Sequence, residues 1–203
     1  MTAIFDMDGT LIDSSKILSN SVNYVREYLG LNPLDEEFII KSINNPNLDL
    51  AKVLYNQKEI TPTLYNKFRE YYDKNHQKEL VVFDGIRELL EDLKQKGVKL
   101  AVATNAYKAT TLATLKHSKI AHLFDEVVSF EDVNAPKPNP HMLLFAKERL
   151  NSKKPIFIGD SDNDSLAAKR ANMPFLYVDF INKTKEIKTI KDLEQKLKSF
   201  FLV

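Results

Sequence analysis

The chain has 203 residues, 43% of them apolar and 28% charged, which suits one globular domain or one domain carrying an insertion. Its 29 Lys and Arg offset 28 Asp and Glu, and the basic residues are scattered, so neither a nucleic acid polymer nor an anionic membrane surface is expected as a partner. With no cysteine, disulfides, thiolate–zinc sites and thiol nucleophiles are excluded.

A strand is expected almost at Met1, in "AIFDMD", which leaves no room for a signal peptide and points to the cytoplasm. No apolar run reaches the roughly 20 residues of a membrane span. From about residue 15 to 80 no strand pattern occurs. Helical patterns run instead through "SVNYVREYLGL", "DEEFIIKSI", "LDLAKVLYN" and "TPTLYNKFREYYDKNHQ", with breaks at Gly30, Asn45-Pro46 and Thr61-Pro62. This reads as a helical insertion, dividing the chain into 1–14, 15–80 and 81–203.

Strands and helices then alternate. "GIRELLEDLKQKG" is a helix stopped by Gly97, "VKLAVATN" a strand, and "YKATTLATLKHS" a helix. "EVVSF" is a short strand. "PHMLLFAKERL" is a helix with Pro140 in its first turn and Asn139 as its cap. "PIFIGD", "DSLAAKRANM" and "FLYVD" follow as strand, helix and strand, and the last 20 or so residues give a C-terminal amphipathic helix. Near-continuous apolar strands alternating with helices mean a parallel sheet covered by helices, an α/β fold.

In such a sheet ligands bind at the carboxyl ends of the strands. Those ends carry every unusual polar cluster: Asp6-Met7-Asp8-Gly9-Thr10, Thr104-Asn105, Lys137 in "APKPNP", and "GDSDND" from Gly159 to Asp164. Singly, most have an ordinary structural reading as turn, cap or solvated lysine. Gathered on one edge, Asp6, Asp8, Asp160 and Asp164 would repel; unit charges about 4 Å apart cost about 4 kcal/mol at an effective dielectric of 20. A hard cation relieves this, and Mg²⁺ suits an all-oxygen set shared with a phosphate. An EF-hand is excluded, because the sixth and twelfth positions counted from Asp160 are Ser165 and Ala171. Pro136, Pro138 and Pro140 stiffen the segment bearing Lys137. With the Thr104 hydroxyl and the amides after Asn105, that lysine makes a phosphate site.

These residues carry a family resemblance. "DMDGTLID", "TN", "KPNP" and "GDSDND", in this order, resemble the four motifs of the haloacid dehalogenase-like (HAD) superfamily, and the 15–80 insertion resembles the helical cap of its phosphoglycolate-phosphatase-like branch. The resemblance implies a Rossmann-like parallel sheet core with an inserted all-helical cap. It implies Asp6 as nucleophile, Asp8 as proton shuttle, and Gly9, Thr104, Asn105 and Lys137 around the phosphoryl group. Mg²⁺ would be held by Asp6, the Asp8 backbone carbonyl and Asp160, with Asp164 a direct or water-mediated ligand. The Asp at position 8 matches the phosphatases and mutases rather than the dehalogenases, which carry Tyr there. Departures are Asn172 and Ala135-Pro136, where relatives often have Gly, and Asn44, expected with Lys41 and Asn45 on a substrate-contacting loop over 42–50. The expected function is a Mg²⁺-dependent phosphatase acting on a small phosphorylated metabolite, as a monomer or weak homodimer. A phosphomutase and a non-catalytic phosphate-binding module are the alternatives.

Overall fold

The computed structural model describes residues 1–45 and 47–202. The chain divides into two compact units, Met1–Asp13 with Val81–Val203, and Ser14–Leu80.

The first unit is built on five parallel strands: β1 (Thr2–Phe5), β4 (Lys99–Thr104), β5 (Glu126–Ser129), β6 (Pro155–Gly159) and β7 (Phe175–Tyr177), in the spatial order β5-β4-β1-β6-β7. β1 is central, and Ala3, Ile4 and Phe5 are wholly buried, as a strand covered on both faces requires. Every connection between parallel neighbours crosses over through helix: α5 (Ile86–Gln95), α6 (Lys108–His117), α7 (His141–Arg149) and α8 (Asp162–Arg170), with α9 (Ile190–Phe201) closing the chain. Ile4, Val128, Leu143 and Phe157 share one buried cluster with Met142 and Ala167, joining β1, β5 and β6 to α7 and α8. Phe157 is fully buried, and cutting it to Ala would cost about 3–5 kcal/mol.

A second, two-stranded ribbon escaped the sequence patterns. β2 (Ile12–Asp13) pairs antiparallel with β3 (Val81–Val82), where the chain leaves the first unit and returns to it. Two residues are too few to show a period of two.

Helix ends follow local chemistry with small shifts. Gly97 ends α5 with φ 74°, and Val98 N donates back to Leu93 O at 3.0 Å. Asn172 takes the same role after α8 with φ 49°. The start of α7 corrects the expectation: Pro140 is the N-cap rather than a helical residue, while Asn139 Oδ1 accepts from His141 N at 3.1 Å. α8 begins earlier than the apolar pattern suggests, inside the acidic motif, because Ser161 caps it.

The second unit consists of α1 (Ser15–Tyr28), α2 (Glu36–Ile43), α3 (Leu50–Tyr55) and α4 (Pro62–Glu79), and no strand occurs among its described residues. Asp35, Asp49 and Thr61 cap α2, α3 and α4 through their side chains, and Pro62 opens α4 where its missing N–H costs nothing. Val22, Val25, Ile39, Leu54, Tyr55 and Leu64 form its core. The break expected at Asn45-Pro46 includes Pro46, which lies outside the described residues. Among the described residues no helix is long and apolar enough to cross a membrane.

Candidate active site

The site lies on the carboxyl edge of the five-stranded sheet. Asp6 continues the ladder of β1, its N–H donating to Ile158 O at 2.8 Å. Met7 is wholly buried, and its carbonyl gathers the N–H groups of Leu11 at 2.9 Å and Ile12 at 3.1 Å. That closes a tight turn in which two acids flank one core residue, the alternation an extended backbone imposes.

Gly9 has a reason other than phosphate contact. Its φ is 81°, and a Cβ there would stand 2.2 Å from Asp160 Oδ2. Only glycine lets the first loop pass so close to the acid at the end of β6. Thr10, fully buried, donates from Oγ1 to Asp160 Oδ1 at 3.1 Å. Gly159 does for Asp164 what Gly9 does for Asp160: a Cβ at Gly159 would lie 2.6 Å from the Asp164 Cβ. Asp164 therefore folds back from the first turn of α8 onto the sheet edge.

The two readings of "GDSDND" hold at once. Asp164 Oδ2 accepts from Ser161 N at 3.1 Å and from Ser161 Oγ at 2.6 Å, completing a capping box. Its other oxygen, Oδ1, lies 2.6 Å from Lys137 Nζ. Lys137 also donates to Asp6 Oδ1 at 2.5 Å, and only 5% of the residue is exposed. Its ammonium sits 5.3 Å from the centre of the Phe157 ring. A single buried cation thus bridges two buried carboxylates from two strand ends.

Charge balance falls short on the positive side. Burial drives the Asp6 pKa up to about 7; Lys137 pulls it down, and the carboxylates of Asp164 and Asp8 push it back up. Asp160 is held well above the ordinary carboxylate range, by burial first and then by Asp6 and Asp164. Burial lowers the pKa of Lys137, but Asp164 and Asp6 outweigh it, so the ammonium stays charged beyond the usual lysine range. One oxygen each from Asp6, Asp160 and Asp164 lie within 4.8 Å of one another. Hard oxygens, a shared focus and unmet negative charge fit a divalent cation such as Mg²⁺. The Asp8 carboxylate is not in that group.

On the expected phosphate side, the side chains at the end of β4 are held by backbone partners. Thr104 is 1% exposed, and its Oγ1 accepts from Ala106 N at 3.1 Å, closing the turn after β4. The hydroxyl proton is left to donate elsewhere. The Asn105 side chain pairs with the backbone of Lys137. Asn44 belongs to the second unit, as the C-cap of α2, and Lys41 there pairs with Glu37 at 2.5 Å. Sequence reading named Thr10 and Gly159 within their motifs but gave neither a role. Thr10 stood inside the quoted motif; Gly159 looked like an ordinary strand end.

Fold and site define an α/β enzyme with a buried acid–lysine centre at the end of a parallel sheet. The family model for haloacid dehalogenase-like hydrolases matches residues 3–178. The chain is 34% identical over 179 residues to a phosphoglycolate phosphatase of Pasteurella multocida, covering 82% of this chain and 80% of that one. It is 30% identical over 174 residues to the pyrophosphatase PpaX of Halalkalibacterium halodurans, covering 85% and 80%. The crystal structure of a predicted phosphatase from Clostridium acetobutylicum superposes with a TM-score of 0.83 at 28% identity, covering 98% of each chain. The chain belongs to the haloacid dehalogenase-like hydrolases, and within them it stands with the phosphatases.

Proposed function

We propose that this phosphatase is Mg²⁺-dependent, acts in the cytoplasm on a small phosphorylated metabolite, and works through an aspartyl-phosphate on Asp6. The observation that carries this reading is the Lys137 ammonium, 2.5 Å from Asp6 and 2.6 Å from Asp164 beside the carboxylate of Asp160. Phosphoryl transfer is mostly positioning and charge neutralisation, and such a centre supplies both.

Asp6 attacks phosphorus with a carboxylate oxygen, forming one P–O bond as the bond to the leaving oxygen breaks. Burial raises the pKa of that carboxylate to about 7, and Lys137 acts against the rise, favouring the ionised form that attacks. Asp8 gives its proton to the leaving oxygen, then takes a proton from the water that attacks the aspartyl-phosphate and frees Asp6 and inorganic phosphate. The Thr104 hydroxyl and Lys137 hold the phosphoryl oxygens. The Asp6 and Asp160 carboxylates and the Asp8 carbonyl, with Asp164 nearby, would hold Mg²⁺, which supplies positive charge against the phosphoryl oxygens. The helical unit is proposed to select the leaving group, with Asn44 as a substrate contact.

The names of the relatives make phosphoglycolate and pyrophosphate the first substrates to try, alongside sugar phosphates and nucleotides. The test is hydrolysis of p-nitrophenyl phosphate, with and without magnesium. Wild type should turn over only with the metal, and Asp6→Asn not at all. Metal-independent turnover, or full activity in Asp6→Asn, overturns the reading.

A further inference from the structure

Lys137 occupies a segment that cannot use regular structure to hold itself. Pro136, Pro138 and Pro140 surround it and carry no N–H, so the chain from 136 to 140 cannot join a ladder. The N–H and C=O of Lys137 must find partners elsewhere. They find one side chain: Asn105 Oδ1 accepts from Lys137 N at 2.8 Å, and Asn105 Nδ2 donates to Lys137 O at 2.9 Å. A carboxamide has the donor and acceptor of a peptide group, so it pairs with a residue as a neighbouring strand would. Asp offers no donor for the carbonyl, and Ser is too short to reach both groups.

We propose that Asn105 is a positioning residue, whose carboxamide clamps the backbone of Lys137 to the end of β4 and thereby sets where the ammonium falls between Asp6 and Asp164. This rests on the functional reading above, in which that ammonium serves the phosphoryl group. The anchor is rigid, because Thr104, next to Asn105, is buried at the end of β4 and in register with Ser129 of β5. A second hold comes from α8, where Arg170 Nη1 donates to Pro138 O at 2.8 Å. The helix that carries Asp164 therefore also steadies the residue after Lys137. The Lys137 side chain is buried along its length, with 3% of it exposed, so its stem has little room to absorb a shift of the backbone and the charge moves with it.

The prolines make the test clean. Among residues 136–140 only Lys137 and Asn139 have amide protons, and Asn139 N donates to Pro136 O at 2.9 Å, so residue-resolved hydrogen exchange follows the Lys137 N–H beside a single neighbour. Asn105 is itself exposed, and Asn105→Ala should fold. Exchange at Lys137 should speed by about tenfold or more in that variant, the local opening expected when a hydrogen bond is deleted. With magnesium and p-nitrophenyl phosphate, kcat should fall by about tenfold to a hundredfold while KM stays within a few-fold, the signature of a misplaced group. Unchanged exchange overturns the clamp. Faster exchange with unaltered kcat overturns the positioning role. A raised KM at unaltered kcat means that Asn105 binds the ground-state phosphate directly, and also overturns it. A wild type inert toward all phosphate esters sinks the functional reading and with it the role in turnover, while the exchange result still decides the clamp.

Discussion

Replacing Lys137 by Met tests the charge logic of the site, because Met keeps an apolar stem of similar length and removes only the ammonium. Two carboxylates then lose the cation that lies 2.5 and 2.6 Å from them, with side-chain exposures of 9% for Asp6 and 1% for Asp164. Removing one partner of a buried ion pair typically costs about 3–5 kcal/mol. An independent route gives a similar figure. The acid can escape its unpaired charge by taking up a proton, which costs about 1.4 kcal/mol for each pH unit above its unfolded pKa of about 3.9. Asp6, at about 7 in the intact site, already bears most of this cost, so one further carboxylate adds about 4 kcal/mol at pH 7 and about 1.5 kcal/mol at pH 5. Lys137→Met should therefore lose about 3–5 kcal/mol at pH 7 and about 1–2 kcal/mol at pH 5. For a chain of this size the neutral-pH loss lowers Tm by about 6–20 °C. Urea titration and thermal melts at both pH values, in magnesium-free buffer, read this directly. An equal loss at the two pH values would mean that the damage is packing and that the charge argument is wrong.

Three further outcomes follow from the same geometry. In wild type freed of divalent ions, the folded Asp6 pKa of about 7 lies above its unfolded value, so the native state binds more protons between about pH 4 and 7; stability should fall as pH rises through that window, and magnesium should flatten the slope in the same urea titrations. The raised pKa of Lys137 tilts stability the same way, downward as pH rises, but only at high pH, since its contribution is complete below the unfolded lysine value. Gly9→Ala should cost about 1–2 kcal/mol for its left-handed backbone and more for displacing Asp160, whose Oδ2 would stand 2.2 Å from the new methyl; calorimetric titration with magnesium should show a weakened site, and unchanged affinity would refute the cradle. Asp8→Asn should still accept a phosphoryl group from an activated ester but fail to release it, so intact-protein mass spectrometry should find a stable covalent adduct; rapid turnover in that variant would remove Asp8 from its role.

How much of this was readable in the sequence depended on range. The five sheet strands announced themselves as short apolar runs: central Ala3–Phe5 is buried on both faces, and Phe175–Tyr177, half-buried at the sheet edge, is still continuously apolar. The parallel order places the polar strand ends on one edge, so Asp6, Thr104 and Asp160 are legible as one group in the sequence. Helix stops at Gly97 and Asn172 were likewise local matters of a left-handed residue. The β2–β3 ribbon was out of reach, because its two-residue strands pair across 70 positions and carry no pattern of their own.

Local chemistry made the chain's element types and its candidate site residues visible, because period, capping and turn preference act over a few residues. Only the folded chain decided the partners: which oxygen of Asp164 caps its helix and which meets Lys137, why residue 9 must lack a side chain, and that Asn105 grips a backbone 32 residues away. Those contacts come from packing distant strand ends together, and no window of sequence contains both halves of any long-range pair.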